Sequence, residues 1–247
     1  MSVSANKLVK DFERKLNAVN SGRMKNYRIV DIVCYLNEAQ EIWFENKVFE
    51  ADTNYKVRND LRAFLVPKKE FECVEVDCDC CKIIFPDNYY KKLSVEVKVC
   101  NEKCCPGIGK TFGGNNLKEV QYDDKHNANN DLSWEPDFKW EQLTYNVGPD
   151  GLYFYTNGEM DISSVCMDYY RKPEPIEAPE LVDCGNLYVN VDDRIITQNK
   201  DFEVCATYAN RQITDIAVYL AARDSGNPNQ TNSQLQKILQ IDKLYRT

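Results

Sequence analysis

Two short stretches hold most of the sulfur in this chain. Phe71 to Phe85 reads FECVEVDCDCCKIIF and carries Cys73, Cys78, Cys80 and Cys81. Val99 to Thr111 reads VCNEKCCPGIGKT and carries Cys100, Cys104 and Cys105. Structural zinc takes four thiolates or imidazoles, usually as two close pairs from two turns. Cys78-x-Cys80-Cys81 and Cys100-x-x-x-Cys104-Cys105 supply enough thiols, on stretches read here as paired strands. Neither is a Cys-x-x-Cys knuckle, and adjacent cysteines on a strand point to opposite faces. The competing reading is a set of half-buried thiols in a strand hairpin. A redox pair ranks below both. The total of 11 cysteines is odd, which argues for free thiols or metal over a disulfide framework. Cys34, Cys166, Cys184 and Cys205 lie in apolar patterns and read as core.

Other reactive groups make weaker cases. Gly109-Lys110-Thr111 resembles the end of a phosphate-binding loop, but Cys104 occupies the opening glycine's place. Phe-Gly-Gly-Asn-Asn follows and starts no helix, so the backbone N–H groups that cradle a phosphate are not provided. Asp192 with Asp193 ends a strand-like run and reads equally well as a turn. The lone histidine, His126, sits in a polar Asn-rich loop with no apolar wall to fix it. Asp123 with Asp124 reads as solvation. Aromatic residues are plentiful, Trp134 and Trp140 among them, but no basic stripe accompanies them, so a base-stacking platform is disfavoured. Net charge is −8, the wrong sign for gripping phosphates. The expectation is a protein that is not an enzyme, with no catalytic, cofactor-binding or metal-binding residue assigned.

The elements that position these residues follow from periodicity. Leu8, Phe12, Leu16 and Val19 recur at helical spacing, broken at Ser21-Gly22. Ile29, Ile32, Val33, Leu36, Ala39 and Trp43 form a stronger stripe. A third helix, with Val57, Leu61, Phe64 and Leu65 inward, is expected to stop at Pro67. From Lys68 the period becomes two. Residues 73–78 and Leu93 to Val99 alternate as strands, with a helical turn expected at Pro86 to Lys92. Lys110 to Asp137 reads as a long surface loop. Leu143–Tyr145, a Gly-Pro-Asp-Gly turn at 148–151 and Leu152–Thr156 make a hairpin, and Val165–Arg171 a further strand. Three prolines stiffen the segment 172–179. Short strands are expected near 187–191 and 194–197. Ala209, Ile213, Ile216, Ala217 and Leu220 then give a helix, and a last one opens at Thr231 with Gln234 as a capping box.

The resulting class is α+β: a helical bundle from N- and C-terminal helices with an inserted antiparallel β lobe. The divisions are 1–67 for the N-terminal part of the bundle, 68–171 for the β-rich insertion, 172–200 for an extended linker with short strands, and 201–247 for the rest of the bundle. Composition is ordinary for a globular protein, with 43% hydrophobic and 28% charged residues. No apolar run approaches the roughly 18 residues of a membrane span, and the charged N-terminus lacks a secretory core. A protein assembled in a cytosol, without a membrane partner, is expected.

Several segments together resemble a known family. Tyr27 to Phe44 contains Leu36-Asn37-Glu38-Ala39-Gln40, and Phe85-Pro86-Asp87-Asn88-Tyr89-Tyr90 follows. Val165 to Pro173 and Phe202 to Val218, with its Arg211-x-Ile213-x-Asp215-x-Ala217 core, complete the set. They resemble the neck proteins of tailed phages, and most of all the ring, or head-to-tail connector, proteins of crAss-like short-tailed phages. The similarity covers both ends and the edges of the middle. The cysteine-rich stretches and the segment 110–137 depart from it. The resemblance implies a structural virion protein of the neck, assembled in the bacterial host cytoplasm. It implies a closed ring, a dodecamer, contacting the portal protein and other neck or tail rings, with genomic DNA passing through the lumen unbound. A zinc-stabilised protein-binding module using the cysteine-rich hairpin is the alternative.

Overall fold

The structure is a computed structural model that describes residues 4–19, 27–77, 80–100, 109–121, 135–158, 160–178, 200–204 and 207–224. It is α+β, and its contacts divide it into two units: Met1–Ala63 with Pro173–Thr247, and Phe64–Lys172. The first is a helical bundle drawn from both ends of the chain, and the second is a β lobe inserted between them.

In the helical unit, α1 (Ala5–Val19) buries Leu8, Phe12 and Leu16, as the spacing of those residues requires. The longer α2 (Ile29–Ala51) buries Ile32, Leu36, Ala39 and Trp43, then Phe44 and Val48. A third helix, α3 (Thr207–Asp224), is packed by both α1 and α2. Contact on two sides explains why its buried face is wider than the predicted stripe, taking in Val218, Ala221 and Ala222, while Ile216 is only half-buried. The last helix expected from Thr231 and the strands near 187–197 lie outside the described residues.

Polar contacts fix the bundle's register. Asp201 Oδ1 accepts from the Ala5 N–H at 3.1 Å, so one unpaired donor of the α1 N-terminus is satisfied by a residue 196 positions away. Trp43 Nε1 donates to Gln212 Oε1 at 2.9 Å inside the core, and Lys15 Nζ meets Asp215 Oδ1 at 2.7 Å. Lys15 also donates to the Arg211 carbonyl.

The third predicted helix is corrected. Residues Tyr55–Phe64 form a 3-10 helix with Val57 and Leu61 buried, and Leu65 is exposed as the first residue of a strand. That strand, β1 (Leu65–Phe71), contains Pro67, and its register shifts between Val66 and Lys69. Proline is tolerated there because β1 is an edge strand and needs no donor on its outer side.

The remaining strands are β2 (Val74–Asp77), β3 (Cys80–Ile84), β4 (Tyr89–Cys100), β5 (Gly109–Gly113), β6 (Leu117–Glu119), β7 (Leu143–Val147), β8 (Gly151–Tyr155) and β9 (Asp161–Arg171). One sheet runs β1-β9-β4-β5 and the other β2-β3-β8-β7-β6, with every pair antiparallel except β6–β7. Their inner faces share one core: Val95, Val97, Val99, Val165, Met167 and Phe112 from the first sheet meet Ile83, Leu143, Tyr145, Leu152 and Phe154 from the second. This is sandwich packing, and alternation along each strand produces it. Leu93 breaks the alternation and is exposed, because a bulge between Lys92 and Ser94 resets the phase of β4.

Two further expectations are revised. Pro86–Asn88 is a turn closed by the Tyr89 N–H donating to the Pro86 carbonyl at 2.8 Å, and β4 begins at once, so no helical turn forms. Lys110–Glu119 is not loop but β5, a three-residue 3-10 turn (Gly114–Asn116) and β6. The hairpin of β7 and β8 is as predicted, and Gly151 is required in it: a Cβ there would lie 1.9 Å from the Ile83 carbonyl oxygen.

Candidate functional site

The two cysteine-bearing stretches do not pair with each other. Cys80 and Cys81 stand on β3, in the five-stranded sheet, whereas Cys100 ends β4, in the other sheet. The reason is non-local: β3 takes β8 as its partner, and β4 lies between β9 and β5. Cys81 faces the core and Cys80 the opposite face, as the pleat demands.

Cys73 and Cys81 form a disulfide, with Cα atoms 5.8 Å apart. This corrects the expectation of thiols or metal at those two positions. The β2–β3 register sets Glu75 opposite Cys81, and Cys73, two residues before Glu75, is then the diagonal neighbour of Cys81. Among the described residues no group of three or more His, Cys, Asp or Glu side chains is disposed to hold a metal ion. Cys78, Cys104, Cys105, Cys184, Cys205, His126, Asp123, Asp124, Asp192, Asp193 and Trp134 lie outside the described residues. Cys166, expected in the core, is half-buried on β9, and Cys34 is exposed on α2.

Gly109-Lys110-Thr111 lies in β5, hydrogen-bonded to β4, and runs into a 3-10 turn of three residues. Among the described residues no α-helix follows it before β6. Lys110 Nζ pairs with Glu141 at 3.2 Å and stands 5.0 Å from the Phe138 ring centre.

Sequence reading missed three clusters on the β lobe. Lys92 Nζ meets Glu119 and donates to the Tyr145 hydroxyl at 2.6 Å, while that hydroxyl donates to Glu119 at 3.1 Å. Lys82 meets Asp150, which also accepts from Tyr153 at 2.9 Å. Glu70 accepts from Lys98 at 2.9 Å and from Ser164 at 2.8 Å. Each joins different strands, so no spacing in the sequence announces it.

Their electrostatics decide what they can do. Burial pulls the Lys92 ammonium down, but its bonds to Glu119 and Tyr145 more than offset this and leave it above its usual value. Burial pushes the Tyr145 phenol up. Burial works to raise Glu119 as well, yet Lys92 holds it below the ordinary range. Lys82 is raised by its bond to Asp150, which Lys82 lowers in turn, and Lys98 and Glu70 do the same to each other. A general base needs a raised carboxylate or a lowered amine, and a nucleophilic phenol needs a lowered one. All three clusters shift the opposite way. They stay charged and act as ties between strands.

Among the described residues, two groups shift toward reactivity. Burial lowers Lys15, but its ammonium is engaged by Asp215 and by the Arg211 carbonyl. Burial raises Asp60 on the 3-10 helix, against the pull of Lys47, which is itself paired with Glu50 at 3.0 Å.

The motifs quoted for the phage neck proteins take structural positions. Asn37 Nδ2 donates to the Ile176 carbonyl at 3.1 Å, and the Ile176 N–H donates to Asn37 Oδ1 at 2.7 Å. Gln40 Nε2 donates to the Glu174 carbonyl at 2.8 Å. Asn37 and Gln40, one turn apart, thus clamp the extended segment 173–178 along α2, while Leu36 and Ala39 are buried in the bundle. In the C-terminal motif, Ile213 and Ala217 are fully buried and Asp215 pairs with Lys15. Pro86-Asp-Asn-Tyr-Tyr90 closes one end of the β lobe: the Asn88 carbonyl accepts from the Lys172 N–H at 2.7 Å, and Tyr89 stacks on Phe85 with ring centres 3.9 Å apart. In comparisons with known proteins, no family model and no curated sequence matches the chain.

Proposed function

We propose that the chain is a structural subunit of a phage neck, one of several copies closing a ring between portal and tail and surrounding the DNA channel. The observation that carries this reading is the place of its two terminal motifs. Asn37 and Gln40 on α2 and Asp215 on α3 hold one helical unit together and are given to architecture. The charged clusters of the β lobe add support, since their shifts remove reactivity. An acidic chain with net charge −8 suits a conduit through which DNA slides without sticking. Ring closure asks each copy for two complementary faces and no chemistry.

Electron microscopy of the purified protein, alone and mixed with the portal, tests this. Rings, or decoration of the portal rim, are expected. A protein that stays a single copy under both conditions removes the reading.

A further inference from the structure

We infer that the corner between α2 and the 3-10 helix Tyr55–Phe64 is the surface by which one copy of this chain docks on another. This rests on the ring reading and names its contact. Phe49 and Tyr55, on either side of that corner, are 80% and 75% exposed, the most exposed large hydrophobic side chains described. The corner is tight: the N–H groups of Thr53 and Asn54 both donate to the Glu50 carbonyl. Phe49 continues a solvent-facing stripe of α2 made of Glu38, Glu41 and Glu45, at spacings of three and four residues. Beyond the corner the exposed charges change sign, to Lys56, Arg58 and Arg62.

Glu41, Glu45, Lys56 and Arg62 make no ion pair with any described residue, whereas Glu38 lies 3.9 Å from Arg223. Two aromatic side chains are therefore flanked along the chain by acidic residues before the corner and basic residues after it, and of these Glu41, Glu45, Lys56 and Arg62 have no ion pair among the described residues. The partner whose charges match is a second copy set head to tail, its basic stripe on the acidic one, so that its own acidic stripe stays open to the next copy, as a closing ring requires. Copies with net charge −8 repel at a distance, and local pairing of opposite charges is what lets them approach. Two aromatic side chains offer about 300–500 Å2 of burial. With the flanking charged stems this approaches the ~800 Å2 per partner of a stable contact.

The test uses two charge-reversed forms of the full chain, Glu41→Lys/Glu45→Lys and Lys56→Glu/Arg62→Glu, and mass photometry over a concentration series. Each form alone sets like charges face to face, so its association midpoint rises at least ~10-fold over the native chain. Mixed in equal amounts, the two forms alternate and association returns. Phe49→Ser/Tyr55→Ser weakens association without altering charge. Unchanged thermal midpoints confirm that every form is folded. If the native chain makes rings and the reversed forms make them equally well, the docking surface is wrong and the ring reading stands. A charge-dependent assembly that stops at two copies keeps the surface and removes the ring. A native chain that never associates, alone or with the portal, overturns both, and failure of the mixture to restore association overturns the surface.

Discussion

Lys15 sits between α1 and α3, where burial disfavours its charge, and Asp215 compensates only if it stays. Removing one partner leaves the other charge enclosed without its counterpart. Lys15→Met should therefore cost about 2 kcal/mol, below the range for a fully buried pair because some water reaches both groups. Lys15→Met with Asp215→Leu should return to within about 1 kcal/mol of the native chain. Urea unfolding of the double-mutant cycle measures this, and additive losses would show the pair to be unimportant. Tyr35 gives a pH-dependent case. Burial, then the charge of Asp224 and the bond to it at 3.2 Å, raises its phenol to about 12 from the ordinary 10. The folded state holds this proton more tightly than the unfolded chain. Its contribution is intact below pH 10 and is lost as pH climbs from 10 towards 12. Tyr35→Phe should flatten the decline in stability across that window; an unchanged decline assigns it to other groups.

At the scale of elements, the disulfide staples the edge strand β2 to β3 through a separation of eight residues. Closing a loop of that length restricts the unfolded chain by about 2.5 kcal/mol, so Cys73→Ser/Cys81→Ser should lose about that much stability. A peptide map without reductant should recover residues 73 and 81 in one linked species; unlinked peptides carrying both thiols would refute the bond. The link was illegible in the sequence for a definite reason. Counting cysteines weighs the whole chain, whereas a disulfide depends on register, here that of β2 against β3. The helices were legible because each buries its own stripe: Leu8, Phe12 and Leu16 announce α1 without knowledge of what covers them. The β7–β8 hairpin was legible because its Gly-Pro-Asp-Gly turn is local. What escaped were contacts between distant positions: the Asp201 cap on α1, the tie of Lys92, Glu119 and Tyr145, and the bulge that turns Leu93 outward. Pro67 misled because it reads as a helix stop, while an edge strand accepts it equally well.

For the whole molecule, the β lobe is entered and left through neighbouring strands. Leu65 of β1 is the register partner of Tyr170 of β9, so the ends of the insertion lie one strand spacing apart. The lobe also has its own core, with Val97, Val99, Phe112, Ile83, Leu152, Phe154, Val165 and Met167 essentially removed from water. The helical unit has no such independence in pieces, since α3 covers both α1 and α2, and Lys15–Asp215, Trp43–Gln212 and Asp201–Ala5 all join the chain's two ends. Unequal consequences of cutting follow. A fragment of residues 64–172 should fold alone, with a cooperative thermal transition and dispersed amide resonances. Residues 1–63 alone should show little stable helix, because amphipathic helices in water need the face that covers them. Joining residues 1–63 to 173–247 through a short Gly/Ser linker in place of the lobe should restore the bundle, since the lobe's paired ends demand no long span. Circular dichroism and proton NMR of the three species decide the matter. A lobe fragment that melts without cooperativity would mean that its sandwich depends on the helices, and a helical N-terminal fragment would mean that the bundle does not depend on the joining of the chain's two ends.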